Sequence, residues 1–296
     1  MADTKKRRWG DRRDGRWVRD VPGLQVIMGH MLPNRTDCEV YMHESFDCTE
    51  VLKYIAEKNA AHPDYRTTLF HCVVMTVARM VRERPKMNRF IAGRRTYERD
   101  EISLAFVVKR RFTDTGEEAL YFYTAKDEDT IDSLSRKIAE DTAQTRKSEH
   151  SDGGIDSVID GFAKIPRVLL MLILKIVRIL DFWGLVPNAL RDGDPNFASV
   201  FLTNLGSIQC DAVYHHLNNY GTNSIMVSIG TIHKEELVMP DGHKEIRDVV
   251  NAGVTIDERI ADGFYFARTI KLVKHVFSHP ELLDLPLGTP CGYEYK

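Results

Sequence analysis

The stretch that most constrains the fold runs from Val254 to Ala267, where an apolar alternation gives way to helical spacing. Val254 and Ile256 alternate with small or polar neighbours, as in a half-buried strand, and apolar residues from Phe264 onward recur at helical intervals. The turn between these two patterns carries Asp257, Glu258, Arg259, Asp262 and Gly263. A strand-to-helix turn projects side chains from a rigid frame, and we expect Gly263 to adopt a backbone conformation that a Cβ would penalise. The stretch therefore predicts an active-site corner.

A second stretch, residues 198–207, has the pattern of a strand that ends in a turn and contains Thr203 and Asn204. The Thr203 hydroxyl carries one hydrogen-bond donor. Taken alone, the stretch favours a strand hydroxyl that is satisfied locally.

These stretches resemble the catalytic domain of dihydrolipoyl acyltransferases from 2-oxo acid dehydrogenase complexes, a family related in fold to chloramphenicol acetyltransferase. The corner is similar to the family signature Asp-His-Arg-x-x-Asp-Gly, with Glu258 at the position of the catalytic histidine. Residues 198–207 resemble Phe-Thr-x-Ser-Asn-Leu-Gly, with Thr203 at the position of the serine. Weaker similarities are Pro85-Lys-Met-Asn88 and His279-Pro-Glu-Leu-Leu283.

The resemblance implies an α/β (α+β) fold, a chloramphenicol acetyltransferase-like two-layer sandwich of mixed sheet and helices, over residues 22–285. It implies an acyltransferase of the acyl-coenzyme A or acyl-lipoyl type, with a coenzyme A thioester as the expected donor and an unidentified acceptor. Glu258 would be the base, Thr203 the oxyanion donor and Asp262 the residue that holds the corner. The supporting residues would be Asp257, Arg259, Gly263 and Asn204. In the family the signature of one subunit faces the hydroxyl strand of the next, so the resemblance also implies a homotrimer.

The replacement of histidine by Glu258 motivates a second hypothesis. A carboxylate is a weaker base than a thiolate by about 6 kcal/mol, which puts catalytic activity in doubt. The alternative is a non-catalytic module with the acyltransferase fold that binds a partner, an acyl chain or a membrane surface.

An insertion at about residues 155–192 interrupts the family pattern. Most residues from Val168 to Trp183 are apolar. Placed on a helix, the polar residues of the segment form one narrow stripe: Lys164, Arg167, Lys175, Arg178 and Asp181. Charges near the middle make a bilayer span too costly. Two interpretations stay open, a Lys164–Trp183 helix lying in the interface of an anionic membrane and a lid or oligomer contact.

The two ends of the chain are predicted to be loose. Residues 1–21 form a basic arm with Trp9 and Trp17 between the charges, which we interpret as disordered, with attraction to an anionic membrane as the alternative. Residues 286–296 read as a tail. Apart from the arm, nothing has the basic and aromatic pattern of a nucleic-acid binder, and no nucleic-acid partner is predicted.

The net charge and the cysteine count of the whole sequence limit the remaining classes of function and location. A net charge of −2 gives no global preference for nucleic acid. Five scattered cysteines and a charged N-terminus without a signal peptide favour a cytoplasmic location, with attachment to the inner face of the membrane left open. The adjacent His215 and His216 point in different directions on regular structure, so we interpret them as structural or surface residues. No metal is predicted.

Overall fold

The alternating and helical patterns of the sequence form strands and helices in the computed structural model, which describes residues 6–62, 64–109, 118–147, 161 and 164–295. The strands are β1 Gly15–Trp17, β2 Glu39–Asp47, β3 Arg89–Ala92, β4 Arg95–Arg99, β5 Ile102–Lys109, β6 Glu118–Ala125, β7 Val200–Asn204, β8 Ile225–Ile229, β9 His233–Val238 and β10 Lys244–Asp257. The helices are α1 Gly23–Met31, α2 Thr49–Ala61, α3 Leu69–Glu83, α4 Ile131–Lys147, α5 Arg167–Trp183, α6 Asn188–Arg191 and α7 Gly263–Ser278.

The large sheet has seven strands in the order β2-β10-β8-β7-β5-β6, with β9 paired to the first half of β10. The pairs β5–β7 and β7–β8 are parallel, whereas β2, β8 and β9 run antiparallel to β10. Alternate residues of a strand face opposite sides of a sheet. Ala252, Val254 and Ile256 face the helices in the core, so Gly253 and Thr255 face the other side.

The helices α2, α3, α4 and α7 cover one face of this sheet. Helix α3 is apolar around most of its circumference and lies against both the sheet and α7, as a central helix does. Thr68 caps it, because the Thr68 hydroxyl accepts a hydrogen bond from the His71 N–H at 3.3 Å. The predicted two-layer sandwich of mixed sheet and helices is confirmed.

The basic arm is folded over its described part, which corrects the prediction of disorder. Strand β1 pairs with β4 in a three-stranded antiparallel sheet of order β1-β4-β3. Arg12 is only 6% exposed, and it forms ion pairs with Asp14 at 3.0 Å and with Asp181 at 3.2 Å. Composition suggested a solvated terminus, but the cost of desolvating a buried charge is offset here by ion pairs, one of them with a residue remote in sequence.

The tail is also packed as far as residue 295. Leu287 is buried, the Arg79 guanidinium donates to the Thr289 carbonyl at 2.7 Å, and the Cys291 N–H donates to Glu83 at 2.8 Å. The tail therefore closes the end of α3 and is not loose.

Helix α5 lies within the predicted insertion, of which residues 155–160 and 162–163 are outside the described residues. Its large apolar side chains are mostly exposed: Val168, Leu169, Met171, Leu172, Leu174, Ile176, Ile179, Phe182 and Trp183. The C-terminal end is anchored by Asp181, which pairs with Arg12 and accepts the Gly221 N–H at 3.1 Å. Among the described helices, none is long and apolar enough to cross a membrane.

Candidate active site

The corner is built on a buried ion pair between Asp257 and Arg259. Asp257 is the last residue of β10 and is fully buried. Its two oxygens accept from Arg259 Nε at 2.8 Å and Nη2 at 2.7 Å, and Arg259 Nη1 donates to the Leu32 carbonyl at 2.7 Å. Arg35 Nε lies 3.7 Å from the same carboxylate. The fork geometry of arginine suits such a bidentate pair and fixes the turn.

Glu258 lies between these two residues, in a short 3-10 turn that ends at Ile260. Its side chain is partly exposed, and within the described chain it makes no hydrogen bond or ion pair. The nearby Cys38 thiol is buried, and burial raises its pKa to about 11 although the Arg259 charge lowers it. Cys38 is therefore held as a neutral thiol and is a poor nucleophile.

Asp262 is exposed and caps helix α7. Its carboxylate accepts the Tyr265 N–H at 2.9 Å and lies 3.6 Å from Lys86 Nζ. The hydrogen bond from Tyr265, together with Lys86, keeps the pKa of Asp262 below its ordinary value even though slight burial acts in the opposite direction. Asp262 thus orients the helix that follows the corner, and it does not contact Glu258.

The expectation for Gly263 is wrong. Gly263 begins α7 with a negative φ, and a Cβ added there would meet no atom within 4 Å. No part of the described chain requires glycine at this position. What distinguishes Gly263 is the free space beside it, next to the corner.

Thr203 is at the end of β7, two residues beyond Phe201, on the sheet face away from the helices. Its hydroxyl is partly exposed and has no hydrogen-bond partner in the described residues. The neighbouring Asn204 contributes its backbone carbonyl, which accepts the Ser207 hydroxyl at 2.8 Å. A donor without a partner in the described part of the chain is available to a ligand.

Thr203 and the Glu258 corner lie at opposite ends of the sheet. The register runs from Thr203 through Ser228 to Gly253, two strands away, and Asp257 is four residues further along β10. With strands ~4.8 Å apart and residues ~3.3 Å apart, Thr203 and Asp257 are about 16 Å apart. The two predicted catalytic groups therefore do not meet within one chain.

Three comparisons relate this architecture to known proteins. Residues 188–285 match the family model described as the 2-oxoacid dehydrogenases acyltransferase catalytic domain. The cubic core of a pyruvate dehydrogenase multienzyme complex aligns with a TM-score of 0.59 and 14% identity, over 90% of this chain and 94% of that one. The comparison with curated protein sequences gave no match.

Two further solved structures agree. Azotobacter vinelandii dihydrolipoamide acetyltransferase aligns with a TM-score of 0.60 and 15% identity, over 90% of this chain and 94% of that one. The truncated catalytic core of a 2-oxoacid dehydrogenase multienzyme complex from Thermoplasma acidophilum gives 0.54 and 15%, over 89% and 98%. This chain has the fold of the 2-oxo acid dehydrogenase acyltransferases. The resemblance predicted from the two motifs is confirmed, and the chain covers nearly the whole length of each aligned core.

Two polar residues near the acyltransferase-like corner were missed. Arg35 donates to the Gly221 carbonyl at 2.9 Å, and Glu39 is the cross-strand partner of Asp257. Neither lies in a motif, and their significance depends on pairings across more than 170 residues. All five cysteines are free, and within the described residues no three metal-ligating side chains are grouped to hold a metal ion.

Proposed function

We propose that this chain is an acyltransferase that moves an acyl group from a coenzyme A thioester to a thiol or hydroxyl acceptor. The observation that carries the proposal is the rigid corner, which holds Glu258 directly after β10 with no hydrogen-bond partner among the residues that the structure describes. The structure from Azotobacter vinelandii was determined to study a serine, a histidine and an asparagine in the mechanism, the last two four positions apart. Glu258 and Asp262 have the same spacing.

In this proposal Thr203 donates to the oxyanion of the tetrahedral intermediate, and a basic group at the corner or beside it receives the acceptor's proton. Asp262 acts indirectly, because it caps the helix that follows Glu258 and so positions the turn. Asp257 and Arg259 hold the turn, Asn204 extends the hydroxyl strand, and the space beside Gly263 leaves room for a second subunit or substrate.

The same proposal requires an assembly, for which we favour a homotrimer. Thr203 and the corner are about 16 Å apart within one chain, whereas an oxyanion donor must lie within hydrogen-bond distance of the reacting carbonyl. A site formed by Thr203 of one subunit and Glu258 of the next meets this requirement. The relative described as a cubic core is a multi-subunit assembly, which supports the choice.

Complementation between inactive subunits tests both parts of this proposal. Acyl-coenzyme A turnover is measured for Thr203→Val, for Glu258→Gln and for the two refolded together at equal amounts. Each variant alone should lose most activity, and roughly a quarter of the mixed sites should regain both native groups because each position is native in half the subunits. Absence of turnover in the native protein refutes the acyltransferase, and a monomeric mass in light scattering refutes the composite site.

A second candidate function, membrane attachment through α5, is favoured by the exposure of its apolar side chains. Contiguous apolar surface of this kind marks an interaction site in soluble proteins. Lys175 and Arg178 lie beside the exposed Leu172, Ile176 and Ile179, so lipid tails and anionic head groups would each meet a suitable side chain. This interpretation also retains the predicted cytoplasmic location, at the inner face of the membrane.

Sedimentation with anionic vesicles tests this candidate. We expect binding that weakens at high salt and is lost in the variant Leu172→Asp/Ile176→Asp. The matched control is Val238→Asp/Ile246→Asp, which changes two apolar residues on the β9–β10 hairpin that are more exposed than Leu172 and Ile176. Equal loss in both variants, or none in either, would leave the oligomer contact as the function of α5.

A further inference from the structure

His216 and Glu39 form a hydrogen-bonded pair on the sheet face away from the helices. His216 Nδ1 lies 3.0 Å from Glu39 Oε2, and the Leu217 N–H donates to the other oxygen at 2.5 Å. The Tyr41 hydroxyl also donates to Glu39 and lies 3.2 Å from His216 Nδ1. The Glu39 side chain is 3% exposed and the His216 side chain is 79% exposed. A buried carboxylate thus holds an imidazole whose other edge faces solvent.

This arrangement fixes the tautomer of the imidazole. Burial would raise the pKa of Glu39, but hydrogen bonds from Tyr41, His216 and the Leu217 N–H outweigh it and keep that pKa below its ordinary value. An ionised carboxylate only accepts hydrogen bonds, so the proton of a neutral His216 lies on Nδ1. The lone pair on Nε2 is then free to accept a proton. A carboxylate that orients an imidazole in this way is a recurring device of acyl-transfer enzymes.

The pair lies beside the active-site corner. Glu39 is the direct cross-strand partner of Asp257, so the two side chains share a face of the sheet with Cβ atoms about 5 Å apart. Glu258, the next residue along the chain, is therefore one strand away from the residue that holds His216.

The segment that carries His216 is pressed against the sheet. The Val213 N–H donates to the Ser228 hydroxyl at 3.0 Å, and a Cβ on Gly253 would lie 2.4 Å from the Val213 carbonyl oxygen. A contact of that length is sterically forbidden, so Gly253 is required for the close approach. The position of His216 is thus set by backbone packing and not only by its hydrogen bond to Glu39.

We propose that His216 is the general base of the acyl transfer, which deepens the proposed function and rests on it. His216 Nε2 takes the proton of the acceptor thiol or hydroxyl, and the acceptor's electron pair forms a bond to the thioester carbonyl carbon. The carbonyl oxygen becomes the oxyanion. When the intermediate collapses, the carbon–sulfur bond of the donor breaks and protonated His216 returns the proton to the leaving thiolate. Imidazole is the side chain that most often serves as general base in enzymes, which favours His216 over the Glu258 carboxylate.

Kinetics on four proteins test the assignment: native, His216→Gln, Glu39→Gln and the control His243→Gln. His243 on the β9–β10 hairpin is likewise an exposed histidine paired with carboxylates, in its case Asp241 and Glu245. We expect His216→Gln to lower kcat at least about 100-fold with KM changed less than threefold. Glu39→Gln should lower kcat about 10-fold or more, and His243→Gln should have no effect. Far-UV circular dichroism confirms folding.

The outcomes separate the two proposals. Native protein without turnover refutes the proposed function and this inference with it. Turnover that survives His216→Gln, or falls equally in His243→Gln, refutes the inference alone. Long-range 1H–15N spectra of the histidine side chains give a readout besides activity: His216 should carry its proton on Nδ1 and lose that preference in Glu39→Gln. A predominant Nε2–H form in the native protein would also overturn the assignment.

Discussion

Replacing Asp257 by alanine should destabilise the protein far more than the same change at Asp262, although both aspartates belong to one motif. Asp257 is fully buried and makes two hydrogen bonds to Arg259 at 2.7–2.8 Å. Removal of the carboxylate leaves Arg259 buried without a counter-ion, with Arg35 nearby as a second positive charge. Breaking one partner of a buried pair costs about 3–5 kcal/mol.

The expected shift in melting temperature follows from the size of the chain. The entropy of unfolding grows with the number of residues, so for a chain of 296 residues each kcal/mol changes Tm by about 1.6 °C. Asp257→Ala should therefore lower Tm by about 5–8 °C. Asp262→Ala removes an exposed helix cap and costs about 1 kcal/mol, so we expect a shift of about 2 °C.

Differential scanning calorimetry at one protein concentration measures both shifts, since assembly makes Tm depend on concentration. The double variant Asp257→Leu/Arg259→Met separates charge burial from lost contacts. An apolar pair of similar volume needs no counter-ion, so the double variant should be more stable than Asp257→Ala. Equal shifts for Asp257→Ala and Asp262→Ala, or a double variant less stable than the single one, would refute the reasoning.

Three other predictions concern burial and space. Burial lowers the pKa of His71 to about 4, so the stability that neutral His71 contributes is fully present above about pH 6.5 and is lost as pH falls to about 4. Over that range, denaturant titration should show that the free energy of unfolding falls by up to about 3 kcal/mol more in the native protein than in His71→Gln. Asp181→Ala should release the end of α5 and increase proteolysis near Trp183, whereas Asp192→Ala, an exposed neighbour, should not. Gly263→Ala should leave Tm within about 1 °C yet lower turnover if a second subunit or substrate fills that space, and unchanged turnover would contradict this use of the space.

The sequence predicted the parts of the fold that depend on neighbouring residues. Helix α3 and strands β5 and β6 follow from periodicity, and the corner follows from a change of period at Asp257. The parts that failed depend on distant pairings. Arg12 can be buried because Asp181, 169 residues away in the sequence, neutralises its charge. Composition alone predicted that this region would be exposed to solvent. Gly263 failed for another reason, since the need for glycine was inferred from a motif and the backbone there is ordinary.

The candidate site divides in the same way. The position of Thr203 on a strand and of Glu258 in the turn after a strand was predictable, but their separation follows only from the strand order. The contact between Glu39 and His216 spans 177 residues, and adjacent histidines in an irregular segment gave no sign of it. Local patterns identify which residues carry chemistry, whereas topology decides which of them meet.

The distance between Thr203 and the corner also bears on how the protein behaves before it assembles. Under the proposed arrangement, a newly made chain folds with every catalytic group in place and none of them able to act together. Thioesters in the cell are then safe from wasteful hydrolysis by unassembled chains. Turnover per chain should fall on dilution below the dissociation constant of the assembly, and a substitution that only weakens subunit contacts should resemble the loss of a catalytic residue until the protein is concentrated.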